Sequence, residues 1–223
     1  MGEDERWLAA AWPFVRESLP PAPAVVLELG CGPIGGFVPE LRGAGYVATG
    51  VDPEAPIAPG YYQLEFERYQ PEQQVDAVVA STSLHHVADL DFILDKISST
   101  LVPGGRIIVV EWAWERIDEA TATWAFERID ESAEPTWLSR RRDEWLLTGE
   151  RWGTYFTTWA RGHGLHPSDY IRSGLDRHFD RLTASEGAYF FPACDHTTQD
   201  DEEAAIASGA IRATSIWYVG QRR

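Results

Sequence analysis

Residues 25–41 read VVLELGCGPIGGFVPEL, and the fold turns on them. An apolar run, broken by the acid Glu28, gives way to a turn holding Gly30, Gly32, Gly35 and Gly36. An apolar–polar pattern resumes beyond it. The run at 25–29 reads as a short strand buried on both faces, as in a parallel sheet. A glycine-rich turn from strand to helix lets a ligand approach the backbone and aims helix N-terminal N–H groups at it. Gly30, Gly32 and Gly35 satisfy the G-x-G-x-x-G pattern, with Asp52 about twenty residues on. Alone that pattern is a weak signal, so its surroundings must decide.

Working outward, strands and helices alternate. Residues 4–18 read as an amphipathic helix, with Trp7, Leu8, Ala11, Trp12, Val15 and Leu19 at helical spacing, stopped by PPAP at 20–23. A helix is expected over 36–44, a strand over 46–51 ending at Asp52-Pro53, and a weak strand over 61–66. A buried strand follows at 76–80, a helix at 89–101, a PGG turn at 103–105 and a further buried strand at 106–112. This order predicts a parallel sheet with helices on both faces. Residues 116–180 then read as almost wholly helical, with breaks at EPT, TGERWG and HGLHPSD. Two closing strands are expected near 182–191 and 211–219, flanking the acidic helix in TTQDDEEAAIASG, and such a pair suggests antiparallel edges. The expectation is one domain over 1–223, with a core of about 20–115 and 181–223 and a helical cap at 116–180.

Composition narrows the function. The 223 residues carry a formal net charge of −16, a field that repels nucleic acids. The densest basic cluster, Arg140 to Arg142, is flanked by Asp143 and Glu144 and reads as a solvated helix face. Two cysteines, Cys31 and Cys194, are too few for a disulfide scaffold and suit a reducing compartment. The N-terminus lacks a signal-peptide pattern, and no run approaches the ~20 apolar residues of a membrane span, so a soluble, cytoplasmic protein is expected. Ten tryptophans are present; those from Trp112 to Trp159 either fill a core or wall a pocket for a flat, apolar ligand.

Glu28 argues against a pyrophosphate at the turn. Its charge at the end of the strand would repel two phosphates and welcome an ammonium group or its ordered water. Asp52, an acceptor-only carboxylate at the end of the second strand, can take both hydroxyls of a ribose. A nucleoside carrying an amino-acid tail meets both demands, and S-adenosylmethionine is such a molecule.

The stretches VVLELGCGPIGG, GVDPE, VDAVVASTSLHHVADLD and LVPGGRIIVVEW together resemble the successive motifs of class I S-adenosylmethionine-dependent methyltransferases, chiefly the bacterial small-molecule type. The resemblance covers about residues 20–115, and IRATSIWYVG is similar to the family's final strand. It implies an α/β, Rossmann-like seven-stranded sheet, mostly parallel with an antiparallel terminal strand. It implies that Glu28 holds the methionine end, that the backbone of Gly30 and Gly32 runs along it, that Asp52 binds the ribose hydroxyls and that Pro53 packs at the adenine. Glu65 and Phe66 fall where the adenine amine and ring are contacted, with Glu67 a competing choice. Residues from Ser81 to Leu84 would lie beside the methionine tail and the methyl. Pro33-Ile34 after Gly32 stiffen the turn.

Methyl transfer from a sulfonium is an in-line displacement in which the enzyme supplies proximity and alignment. A general base helps when the acceptor carries a proton. The candidates are His85 and His86, after the fourth strand, and Glu111, at the end of the fifth. The same histidines could serve architecture alone. Tyr155, His163, His166 and His178 are possible substrate contacts, although His166 looks more like a helix-entry residue. No metal site is convincing. The expected activity is methylation of a small organic acceptor, aromatic or apolar, at oxygen, nitrogen or an activated carbon, as in natural-product chemistry. The alternative is a protein of the same fold that binds the cofactor and catalyses a non-methylating reaction. No membrane or nucleic-acid partner is expected; monomer and homodimer both stay open.

Overall fold

A computed structural model describes residues 2–130 and 135–223. Glu134, which opens the expected EPT break, lies outside the described residues. The run Val25–Leu29 forms β1 and is covered on both faces, as its composition requires. Six more strands join it: β2 (Val47–Val51), β3 (Tyr61–Tyr62), β4 (Val75–Ser81), β5 (Leu101–Trp112), β6 (Phe179–Gly187) and β7 (Ser215–Arg222). The seven-stranded sheet has the order β3-β2-β1-β4-β5-β7-β6. Pairing from β3 through β5 is parallel, while β7 inserts antiparallel between β5 and β6. The expected Rossmann-like sheet is therefore present. Its registers align Leu29 with Val51 and Ala80, and Ser81 with Val110, so the carboxyl ends of β1, β2, β4 and β5 share one edge.

Period-two alternation sends successive strand residues to opposite faces. Leu27, Val78 and Ile107 meet α3 (Leu90–Thr100) and α7 (Ser168–His178) through Ile93, Ile97 and Ile171. Val26, Val79 and Ile108 meet α1 (Glu3–Ser18) and α2 (Val38–Gly43) through Ala11, Val15 and Leu41. A third core joins α4 (Glu119–Phe126), α5 (Trp137–Thr148) and α6 (Trp152–Gly162) around the fully buried Trp152 and Phe156. Asp118 and Thr136 cap α4 and α5 through their side chains, which places the helix starts. Within the stretch expected as a cap, α7 packs against α3 and the sheet rather than against the aromatic core.

Several boundaries differ from the sequence expectation. The strand expected over 61–66 pairs only at Tyr61–Tyr62, because β2 ends at Val51 before Pro53 and leaves nothing further to pair with. Phe66 is instead buried as the first residue of a 3-10 turn, Phe66–Arg68. The PGG turn lies inside β5 as an irregularity: Val75 pairs with Leu101 and Ala77 with Arg106. β6 ends at Gly187, before the apolar residues Ala188 to Phe191, which turn into the cores. Its own outer residues are exposed at the sheet edge, so its composition is polar. Between them α8 (Gln199–Ala207) carries the capping box Thr198–Asp201.

Candidate active site

Two cavities open at the carboxyl edge of the sheet. The larger, about 500 Å³, is bounded by Asp52, Pro53, Glu65, Phe66, Glu67 and His86. The smaller, about 260 Å³, is bounded by Glu28, Cys31, Gly32 and Ser81, and by Asp4 and Trp7 of α1. Gly30, Asp52 and Thr82 belong to both walls, so the cavities adjoin at the glycine turn. The structure thus brings together eight of the nine expected cofactor residues. The exception is Leu84, which is buried in the first core and bounds neither cavity.

The turn itself explains two of its glycines. Gly30 sits at φ 78, and a Cβ there would overlap the side chain of Ser83. Gly36, at φ 57, lies against the Glu28 carboxyl, which a Cβ would displace. Glu28 is 1% exposed, and its Oε2 accepts the Phe37 backbone N–H at 2.8 Å. Burial pushes its carboxyl up to about 8, against the opposing pull of the Phe37 and Val38 N–H groups. At neutral pH it therefore carries a proton, and its main engagement is with the start of α2. Asp52 keeps more freedom: its Oδ1 accepts the Glu54 N–H at 2.7 Å.

The three acid–base candidates form one array with unequal access. Glu111 is fully buried at the end of β5. Its Oε2 accepts the backbone N–H of Leu84 at 2.8 Å and that of His85 at 3.3 Å, and its Oε1 accepts that of Trp112 at 2.7 Å. The same Oε1 lies 2.5 Å from His85 Nδ1. Glu111 is thus consumed in fixing the 3-10 turn Leu84–His86 and the His85 ring. The His86 ring lies 4.0 Å from that of His85 and faces the larger cavity. Burial, then the neighbouring His85, lowers His86 to about 4, so its imidazole is neutral at pH 7.

Of the other expected contacts, Tyr155 donates its hydroxyl to Glu144, and the His163 ring bonds the Trp159 carbonyl on the surface. His166 bonds the Val87 carbonyl through Nε2 at 2.8 Å, and its backbone N–H donates to the His85 carbonyl, tying the segment before α7 to the histidine turn. His178, beside Asp95, sits where β6 begins, at the opposite edge of the sheet. None of these four bounds either cavity. The basic cluster is engaged locally, Arg141 with Glu144 and Arg142 with Asp143.

Sequence reading missed the contribution of α1. Trp7 donates its indole N–H to Ser81 Oγ at 3.1 Å, and Arg6 reaches the carbonyls of Pro192, Cys194 and Thr197. These bonds seat the first turn of α1 over the smaller cavity. Thr82, within the stretch expected beside the methionine tail, bounds both cavities and holds φ 48, unusual for a β-branched residue; such positions gather at functional sites. Beside the histidines, Trp112 stacks on Tyr189 at 5.5 Å and meets Trp137 edge-on at 5.3 Å. The Trp112 indole N–H is buried and has no hydrogen-bond partner among the described residues. No group of three or more metal-ligating side chains occurs among the described residues, and no helix there is long and apolar enough to cross a membrane.

The family profile for the methyltransferase domain matches residues 5–149. No curated protein matches the chain. Solved structures share its fold at low identity. A provisionally assigned S-adenosylmethionine-dependent methyltransferase from Listeria monocytogenes is 20% identical, covers 98% of this chain and 99% of its own, and gives a TM-score of 0.60. One from Mesorhizobium loti is also 20% identical, with 96% and 98% covered and a TM-score of 0.58. Geranyl diphosphate C-methyltransferase from Streptomyces coelicolor A3(2), solved with S-adenosyl-L-homocysteine, is 15% identical, with 96% and 76% covered and a TM-score of 0.57.

Proposed function

The chain belongs to the methyltransferase-domain family, and on that premise we propose that it binds S-adenosylmethionine and methylates a small organic acceptor carrying an aromatic or apolar body. The observation that carries this reading is the pair of adjoining cavities, one walled by Asp52, Phe66 and His86 and the other by Glu28, Gly32 and Ser81. Their shape and chemistry fit a nucleoside in the first and an amino-acid tail in the second. Asp52 takes the ribose hydroxyls, Phe66 the adenine ring, and Glu65 or Glu67 the adenine amine. Gly30 and Gly32 let the backbone run close to the tail.

The bound sulfonium supplies a methyl group already activated for displacement. The chain aligns the acceptor with that group and excludes water. His86, facing the larger cavity, offers a neutral imidazole that orients the acceptor's proton. Its low proton affinity makes it a poor base for a hydroxyl of high pKa, which favours an acceptor whose proton leaves readily. His85 and Glu111 are positioning residues that hold the turn carrying His86. The partnerless Trp112 N–H beside this array would donate to an oxygen or nitrogen of the acceptor, with Trp137 and Tyr189 against its flat face.

A test is transfer of labelled methyl from S-adenosylmethionine to a panel of phenols, aromatic amines and enolisable aryl ketones. Turnover with at least one of them is expected, and its loss in His86→Ala with cofactor binding retained would place His86 at the reacting group. A structure with an accepted substrate that makes no contact with Trp112, Trp137 or Tyr189 would overturn the aromatic part of the reading.

A further inference from the structure

The segment HGLH, His163 to His166, joins α6 to α7, and neither of its histidines bounds a cavity. Leu165 is buried in the aromatic core and fixes the segment on that side. Toward the histidine turn, three polar groups of His166 are engaged. Its backbone N–H donates to the His85 carbonyl at 3.0 Å, its ring Nε2 lies 2.8 Å from the Val87 carbonyl, and its own carbonyl accepts the Trp114 indole N–H at 3.0 Å. A carbonyl oxygen only accepts, so Nε2 carries the proton of its bond. Pro167 follows and favours extended backbone at His166, which narrows the freedom of the segment. These contacts complement those of Glu111, which accepts the N–H groups of Leu84 and His85. Glu111 takes donors of the turn and His166 satisfies its acceptors, so the turn is gripped from both sides. His86 and Val87, within that grip, bound the larger cavity.

We propose that His166 is a positioning residue for methyl transfer: by holding the His85 and Val87 carbonyls it keeps the His86 imidazole aimed into the larger cavity. The inference rests on the reading of that cavity as part of an S-adenosylmethionine site with His86 at the reacting group. His166 touches neither donor nor acceptor and acts only through the turn. A 3-10 turn of three residues has poor hydrogen-bond geometry of its own, and within this one His86 donates its N–H to Ser83 at 3.2 Å. Gripped by Glu111 alone, its carbonyl side is free to rotate, and His86 moves with it. Misplacement of a reacting group by an ångström costs about a hundredfold in rate, and a partial loosening about tenfold. The segment between α6 and α7 and the cavity wall therefore work as one unit, although they lie about eighty residues apart in the chain.

The test follows the His86 ring by NMR titration in the full chain, His166→Ala, His166→Gln and His178→Ala, with its signal assigned by loss in His86→Gln. Methyl-transfer rates with the phenol, aromatic-amine and aryl-ketone probes and calorimetric affinity for S-adenosylmethionine accompany it. In the wild type His86 titrates at about 4: desolvation and then His85 lower it, Glu111 opposes them, and His163 adds to the lowering. In His166→Ala the loosened turn lets His86 reach water, so its titration rises toward the ordinary 6.5. The rate falls about tenfold, while donor affinity, carried by Asp52 and Phe66, stays within about threefold. Glutamine keeps an N–H donor for the Val87 carbonyl, so His166→Gln recovers both the titration and most of the rate. His178→Ala removes a ring contact to the Gly174 carbonyl, away from the turn, and changes neither. An unaltered His86 titration in a folded His166→Ala, or a loss of rate that His166→Gln does not recover, overturns the proposal. Absence of S-adenosylmethionine binding to the wild-type chain overturns the cofactor reading instead, and the proposed role with it, even where the His86 titration shifts.

Discussion

Glu28→Gln separates the architectural role of this acid from a charge-based one. In the folded chain burial holds the Glu28 carboxyl at about 8, against an ordinary value of 4.5. At about 1.4 kcal/mol for each tenfold change in proton affinity, that interval corresponds to at most ~5 kcal/mol of differential stability. The sign follows from the direction. Below pH 4.5 both folded and unfolded chains are protonated, and the contribution of the neutral carboxyl is fully present. As the pH rises toward 8 the unfolded chain ionises first, so folding is progressively weakened; above 8 the folded carboxyl ionises too and the loss levels off. Glutamine keeps the carbonyl that accepts the Phe37 N–H and cannot ionise. Urea unfolding of both proteins from pH 4.5 to 9 is the assay. The variant should match the wild type near pH 4.5 and exceed it by about 2–5 kcal/mol near pH 8.5. A difference independent of pH, or a variant less stable at pH 8.5, would refute the assignment of a protonated, buried Glu28.

Glu111→Ala should destabilise the chain by about 3–5 kcal/mol, because it strands three buried backbone N–H groups and His85; chemical denaturation checks this. Gly30→Ala forces a Cβ into Ser83 at a left-handed backbone position, and the expected result is a loss of about 2 kcal/mol or more together with cofactor binding, read by thermal unfolding and calorimetry. Trp112→Phe removes an N–H that has no partner among the described residues, so the variant should fold with stability within about 1 kcal/mol of wild type while the KM for an accepted substrate rises several-fold. A large loss of stability in that variant would show that the indole N–H is already satisfied in solution.

Much of this was legible in the sequence because the relevant signals are local. The buried runs of β1, β4 and β5 are apolar on both faces, as strands of a sheet covered by helices on both sides are. The glycine turn announces itself because Gly30 and Gly36 occupy backbone conformations that other residues resist. Asp52 could be placed from its position at the end of the second strand, and Glu65 and Phe66 from the family resemblance; all three bound the larger cavity. What escaped depends on long-range docking. Nothing in the first turn of α1 indicates that Asp4 and Trp7 will border a cavity; that follows from bonds between Arg6 and carbonyls beyond residue 191. Glu111 reads as a residue facing the ligand because it ends a strand, yet the turn after β4 folds back and takes its oxygens for backbone N–H groups. Thr82 gives no sign of its left-handed backbone, since threonine is a poor residue for it. The outer residues of β6 are polar because they lie at an edge, so that strand is defined by its pairing with β7 rather than by hydrophobicity.

The most direct test of the central claim is calorimetric titration of the purified chain and of Asp52→Ala with S-adenosylmethionine and S-adenosylhomocysteine. The account predicts micromolar binding to the wild type and a loss of about a hundredfold or more when the ribose-binding carboxylate is removed. Absence of binding of either ligand to the wild type, or equal affinity in Asp52→Ala, would contradict it.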